Sequence, residues 1–573
     1  MVRYDVVIAA EGAADLAACL DALAAVDYPK EQLHLILSPK GAAGPALPQN
    51  WQTLCAAWGG STLLDGSAPT LGAALLRGTQ AGTAPLVVFL HPSAQVPPQF
   101  FTQLEEAAGQ FGQSAAFEVR LLPLETGRPM DPVTMELPQV DYHALLLRRT
   151  ALEAVGGPDP RLDGQSVGRD LSLRLRAQGW QLRYLPQLCV TLPPEQAAPT
   201  ALEEYAGSYL DEVLLQVKYG TLGSILRAKG RYLAQLRHPQ HFPGVRRVLV
   251  QNALHAVRIG WPLFCWRFSH GEQARQCRLL LAAPALPDRG RCVCPAVENG
   301  PLVSVILRTC GRPQTLARTL ESLRHQTYRS FELLVAEDGE PMAQEMLAQR
   351  FSDLPIRYFN DGVRHGRAAN GNRALAQAQG ELCCFLDDDD FFYPDHLELL
   401  VGLLMAHPEA DLVLGSSMAL FQREDGTLQE LRPMVFDRID RFTMCQECRI
   451  PIQSGLFRRS LFQQWGGLIE GLDAHEDWGM WLKYLEHGRR IRPDGPDVRR
   501  ITSVFTQPAG QQQAQARILE YSRSDDAFYG DPDLAFTVTL ADMRRYYDGM
   551  IADLRCLEEK GLLHQFLEEQ ARR

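Results

Sequence analysis

The sequence predicts an α/β protein of two mostly parallel sheets covered by helices, with a helical region between them and a helical C-terminal extension. Three observations lead there. Short, wholly apolar runs alternate with amphipathic helical patterns, the order that gives parallel strands buried on both faces. The alternation occurs twice, on either side of an Arg-rich stretch. A chain of 573 residues also exceeds what one hydrophobic core organises, so two or more domains are expected.

In the second half, residues 302–308 (LVSVILR), 331–338 (FELLVAED), 356–359 (IRYF) and 382–387 (LCCFLD) read as strands. A helix is expected after the first of them, with Leu316, Leu320 and Leu323 at helical spacing and Pro313 in its first turn. The first half repeats this plan. LVVFL (86–90) precedes HPSA and Pro98, as LCCFL (382–386) precedes DDDD and Pro394. ALLLRRTALEAVGG (144–157) resembles SGLFRRSLFQQWGG (454–467), and GRDLSLRLRAQG (168–179) resembles HEDWGMWLKYLEHG (475–488). Three matches in the same order predict a duplicated domain. The expected divisions are 1–195, a helical region and linker at 196–300, 301–510, and a helical extension at 511–573. The role of that extension is not legible. Val248 to Phe268 is apolar but interrupted by Asn252, His255, Arg258 and Pro262. It reads as a helix packed between the modules or as an interfacial membrane contact.

A net charge of -11 and an isoelectric point near 5.8 argue against nucleic acid as a partner. The first residues carry too short an apolar run for a signal peptide, and no stretch is long enough to span a bilayer, so a cytoplasmic location is expected. Thirteen cysteines read as reduced thiols. Cys292, Cys294, Cys445 and Cys448 could supply four zinc thiolates, but their spacings match no compact zinc module, and ordinary thiols are the better reading.

Asp387-Asp388-Asp389-Asp390 closes an apolar strand. Four adjacent carboxylates repel one another, and burying them is costly unless a cation offsets the charge. Mg2+ and Mn2+ prefer such oxygens and leave positions open for phosphates. In open α/β sheets the ligand crevice lies at the carboxyl ends of the strands. A second acidic pair, Glu476-Asp477, opens a later helix, where it could serve as a cap or as a proton acceptor.

With VSVILRTCGRP, FELLVAEDGE, GELCCFLDDDD and HEDWGMWLKYL in order, the second module resembles a family 2 glycosyltransferase of the GT-A fold, over about residues 301–510. The first module looks like a degenerate copy, so the architecture implied is two GT-A-like, Rossmann-type domains. The resemblance implies an inverting transfer of a hexosyl or deoxyhexosyl group from a nucleotide sugar, UDP- or dTDP-linked, to an acceptor hydroxyl. It places a Mn2+ or Mg2+ at Asp387 and Asp389, with Asp389 the likelier direct ligand, and the base at Asp477, supported by Glu476. Thr309 and Asp338 fall where the family holds base and ribose, and Asp388 joins them on the donor side. One departure stands out: the family's segment has an Arg before the Asn that maps to Asn372, and this chain has Gly371. The missing charge would fall to Arg367 or Arg373. Trp481 reads as core, and Trp478 as core or as a sugar platform.

In the first module His91-Pro92-Ser93-Ala94 replaces the acidic run and SPKGA (38–42) the acidic turn, leaving Arg169-Asp170 at the helix start. That module is expected to serve architecture, acceptor docking or partner contact, and a metal-independent second site is the alternative. The acceptor would be a glycan, a lipid-linked glycan or a protein. Peripheral membrane contact and homo-oligomerisation stay open. The rival readings are a non-catalytic sugar-binding or scaffold protein of a glycan-assembly complex, and a nucleotidyltransferase, for which no Gly-rich, Lys-containing phosphate loop is present.

Overall fold

A computed structural model describes residues 1–11, 16–41, 58–125, 127–193, 201–239, 243–283, 288–290, 292, 293, 297, 299–422, 428–434, 441–446, 448, 450–472, 475–490 and 500–508, with separate positions and a short run between Phe528 and Glu558. The chain forms two compact units, Met1–Leu286 and Pro287–Arg573. The expected extension from 511 lies largely outside the described residues, and the described positions from Leu540 to Glu558 are helical.

The first unit is built on β1 (Tyr4–Glu11), β2 (Leu33–Lys40), β3 (Gly60–Leu63), β4 (Leu86–Leu90), β5 (Ser114–Leu122), β6 (Ala144–Arg148) and β7 (Gln181–Thr191). Their order in the sheet is β3-β2-β1-β4-β6-β5-β7. The second unit has β8 (Val303–Thr309), β9 (Phe331–Glu337), β10 (Ile356–Phe359), β11 (Leu382–Asp387), β12 (Leu412–Leu414) and β13 (Gly455–Arg458), in the order β10-β9-β8-β11-β13-β12. Strand for strand the two orders correspond, apart from the additional β7. In each, the fourth strand in sequence pairs antiparallel with a strand that closes on Arg: Leu86 faces Arg148, and Leu382 faces Arg458. The internal repeat is therefore one of topology and register as well as of sequence.

The second unit's strands lie where the apolar runs place them. All seven residues of β8 and of β9 are buried, as strands covered on both faces must be. The helix after β8 runs Pro313–Arg324 with Pro at its first turn, where its missing N–H costs nothing, and it buries Leu316, Leu320 and Leu323. A smaller sheet orders Phe391–Phe392, Ile501–Pro508, Ser416–Gln422 and Leu428–Met434 side by side.

In the first unit, α1 (Gln165–Ala177) is followed by α2 (Ala201–Tyr219), α3 (Leu222–Arg237), α4 (Val245–Ser269) and α5 (Gly271–Ala282). The expected intermodule helices thus belong to the compact first unit. No described helix is long and apolar enough to cross a membrane. Cys19, Cys265, Cys277, Cys310, Cys383 and Cys384 are free thiols. Cys294 lies outside the described residues, and no group of three or more His, Cys, Asp or Glu side chains suited to a metal occurs among those described.

Candidate active site

The second unit's crevice is organised by an arginine on the strand beside the acidic run. In the parallel register of β8 and β11, Arg308 lies beside Asp387. Its guanidinium donates to both carboxylate oxygens, Nε to Oδ1 and Nη2 to Oδ2, at 2.7 Å each. This two-bond fork is the strong geometry for an Arg–carboxylate pair. Arg308 Nη1 is also 3.4 Å from Glu476 Oε1. Arg308 is 7% exposed, so a cation at the end of an otherwise apolar strand is stabilised by two acids from distant parts of the chain.

Gly371, in α6 (Arg367–Ala376), makes room for it. A Cβ there would sit 2.9 Å from Arg308 Cδ and 2.9 Å from a Leu468 methyl. Arg367 reaches the same cluster, with Nε 3.2 Å from Glu476 Oε1. Arg373 instead pairs with Asp361 at 2.6 Å. The positive charge nearest the acidic pair therefore comes from Arg308 and Arg367.

The remaining carboxylates of the run have separate environments. Asp388 is buried, accepts from Thr309 Oγ1 at 2.6 Å and pairs with Arg312. Burial is the main cause that pushes its pKa to about 6, against the pull of Arg312. Asp389 is partly exposed, and one of its oxygens accepts from Arg312 Nη1 at 2.9 Å. Asp390 is buried and accepts from the Thr506 N–H at 2.8 Å; burial and then Asp389 and Asp387 push its pKa well up. Asp338 accepts from the backbone N–H groups of His365 (2.7 Å) and Gly366 (3.1 Å), fixing the entry to α6.

Glu476 and Asp477 open α7 (Glu476–His487), which starts after His475 in a left-handed conformation at φ 67°. Glu476 is buried, and Asp477 accepts from the Trp478 N–H at 2.9 Å. Burial, then the neighbouring Glu476 and the Asp387 charge, push the Asp477 carboxyl up to about 7, with Arg308 opposing them. Trp478 and Trp481 are both core: Trp478 donates to the Met444 carbonyl at 2.7 Å and stacks on Phe528.

The charge argument for a metal changes accordingly. Arg308 and Arg312 pair with three of the four carboxylates, and Arg308 also faces Glu476, so two cations already offset part of the charge of the acidic run. The donor set still suits a hard ion, because Asp387 and the half-exposed Asp389 present carboxylate oxygens at a strand end. A cation that is completed by substrate phosphates needs only one or two of these. Neither Arg308 nor Arg312 was identified from the sequence as a site residue. The available signal was an Arg inside a buried strand that carries no other charge.

Residues 304–466 match the family Glycosyl transferase family 2. The second unit thus carries a glycosyltransferase domain of that family, on an α/β scaffold whose internal repeat forms the first unit. Among relatives, the putative glycosyltransferase EpsE of Bacillus subtilis is 25% identical over 268 residues, 44% of this chain and 95% of that protein. The UDP-Glc:alpha-D-GlcNAc-diphosphoundecaprenol beta-1,3-glucosyltransferase WfgD of Escherichia coli is 31% identical over 104 residues, 18% of this chain and 41% of WfgD. The crystal structure of S. aureus TarS 1-349 with UDP-GlcNAc aligns at 18% identity over 37% of this chain and 60% of that one, with a TM-score of 0.30.

Proposed function

We propose that the second unit is an inverting, metal-dependent glycosyltransferase that moves a hexosyl or deoxyhexosyl group from a UDP- or dTDP-sugar to an acceptor hydroxyl. The observation that carries this reading is the convergence of Asp387, at a strand end, with Glu476 and Asp477, at a helix start, around the buried Arg308. Asp387 and Asp389 are the residues that would hold Mn2+ or Mg2+, whose charge offsets that of a donor diphosphate and of the leaving nucleotide. Asp477 takes the proton of the attacking hydroxyl as the new bond forms. Glu476, held by Arg308 and Arg367, keeps the start of α7 in register with the strand end. Thr309 and Asp338 lie at the ends of β8 and β9, where a nucleotide would be met, and Asp388 fixes Thr309. A lipid-linked glycan is the acceptor class supported by the name of WfgD; a free glycan or a protein are the others.

The test is thermal shift of the whole protein with a panel of nucleotide sugars, with and without Mn2+, followed by a transfer assay on any donor that binds. A donor should raise the melting temperature more with Mn2+ present, and Asp389→Ala should abolish both that increment and turnover. Full turnover in excess chelator would overturn the metal assignment. Donor binding without transfer to any acceptor would favour the scaffold reading.

A further inference from the structure

The helices of the first unit expose an apolar face that neither module's chemistry uses. Along α4, Val250, Leu254, Val257, Trp261, Phe264 and Phe268 recur at alternating spacings of four and three, which sets them on one stripe about 27 Å long. Val257 is 79% exposed, Trp261 72% and Phe268 73%, and Phe264 stacks on Trp261 with ring centroids 5.9 Å apart. The opposite face is fixed. Val245, Leu249 and Leu263 are buried, the Leu249 carbonyl accepts from Tyr232 of α3 at 2.6 Å, and Asn252 donates to the Ala206 carbonyl of α2 at 3.2 Å. The helix is therefore held in an orientation that leaves the stripe outside. α3 adds exposed Leu222, Leu226 and Leu233.

Charge identifies what covers this face. From Val213 to Gly271 the chain has nine Lys or Arg and no Asp or Glu, although the protein as a whole carries -11; Lys218 and Arg231 pair with acids outside the segment, which leaves seven. Exposed Arg246, Arg247 and Arg258 flank the stripe on α4, and Arg227 and Lys229 are exposed on α3. An apolar stripe with aromatic residues and a basic border is the make-up of a helix that lies in a bilayer surface. A second copy docked stripe to stripe would set these arginines against their own counterparts with no carboxylate in the segment to answer them, whereas anionic headgroups complement them.

We propose that α4, with the exposed arginines on its own flanks, is a surface that binds the protein to an anionic lipid bilayer. The stripe enters the acyl boundary and the arginines engage the headgroups. The proposal is independent of the catalytic reading, since it is tested by binding alone.

The experiment is co-sedimentation of the whole protein with vesicles of phosphatidylcholine and of phosphatidylcholine with phosphatidylglycerol, at low and high salt. Wild type should bind the anionic vesicles much more strongly than the neutral ones, and high salt should weaken that binding. Val257→Glu/Trp261→Glu should abolish sedimentation while keeping the wild-type melting temperature, as both side chains are exposed. Arg246→Gln/Arg247→Gln/Arg258→Gln should weaken binding by about fivefold per arginine and flatten its salt dependence. The triple variant carries the test even if the first variant misfolds. Equal binding to both vesicle types, or full binding by either variant, would overturn the proposal. So would a wild-type dimer that ignores vesicles and is made monomeric by Val257→Glu/Trp261→Glu, which would assign the face to a second copy.

Discussion

The acid shared by the matched helices has opposite surroundings in the two units, and its place differs too: Asp477 lies in the first turn of α7, whereas α1 begins at Gln165 and sets Asp170 in its second turn, not at the helix start expected from the sequence. In the second, Asp477 is partly exposed at the crevice, with its pKa pushed to about 7. In the first, Asp170 is fully buried and saturated. Arg174 donates to one oxygen through Nε (2.9 Å) and Nη2 (2.6 Å), and Lys218 and the Tyr219 hydroxyl engage the other. Lys218 also donates to Asp159 at 2.6 Å and lies 4.6 Å from the Trp266 ring. Lys218 and Tyr219 belong to α2, so the C-terminal end of that helix packs over Asp170. At the matched strand end, burial and then His143 push His91 down to about 4, which leaves a neutral imidazole where the second unit has Asp387. One scaffold thus carries a crevice acid in one copy and a structural ion network in the other.

That contrast is broken or sharpened first by the two aspartates. Asp477→Asn should lower turnover by about a hundred- to ten-thousand-fold while leaving donor affinity and melting temperature near wild type. A collapse of donor affinity with turnover retained would make Asp477 a binding residue. Asp170→Asn should do the reverse. It leaves Lys218 and Arg174 short of a buried partner, which costs about 3 to 5 kcal/mol in thermal or denaturant unfolding, with the chemical step nearly unchanged. If Asp170→Asn is instead as stable as wild type and inactive, the first unit is a working site.

How much of this was legible follows from what each residue type signals. Apolar runs mark buried parallel strands by composition, so 382–387 coincides with β11; 356–359 coincides with β10 although that edge strand carries Arg357 and is only partly buried. The repeat was visible because the Arg-closed strand and the helix start lie in the same order in both halves. The acidic residues could be picked out, but their partners could not, because a carboxylate's neighbours depend on register and on helix packing. Arg308 lies beside Asp387 only once β8 and β11 are aligned. Gly371 looked like a loss of charge; packing gives it a second meaning, as the space into which Arg308 extends. The fate of Asp170 depended on Lys218, 48 residues away, on a helix whose docking no local pattern specifies.

The pairing of Gly371 with Arg308 gives the next prediction. Gly371→Ala puts a Cβ against Arg308 and Leu468, which should cost about 1 to 3 kcal/mol and reduce kcat by roughly ten- to a hundredfold, through displacement of Asp387 and Glu476. In an Arg308→Ala background the added stability cost of Gly371→Ala should shrink, since one of its two closest contacts has gone and only that with Leu468 is left, and a double-mutant cycle measures that coupling. Strict additivity would mean that the two positions do not act together.

The smallest effect expected is pH-dependent and belongs to the first unit. Asp211, on α2, is buried, and its nearest cation is Arg169 at 3.8 Å, too long for a hydrogen-bonded pair. Burial pushes its pKa to about 7 against that weak attraction. A carboxyl whose folded pKa lies above its unfolded value holds its proton in the folded state after the unfolded chain has released it. Its contribution to stability therefore declines as pH rises from the ordinary carboxylate range, and the loss is complete above about 7, where the buried group is ionised. Asn has a similar shape and no charge at any pH. Asp211→Asn should therefore raise the melting temperature by several degrees at pH 8 and by clearly less at pH 5. An equal shift at both values would mean that Asp211 acts through packing or hydrogen bonding. A lower melting temperature at pH 8 would mean that its ionised form is stabilised by Arg169, placing it with Asp170 among the network's satisfied acids.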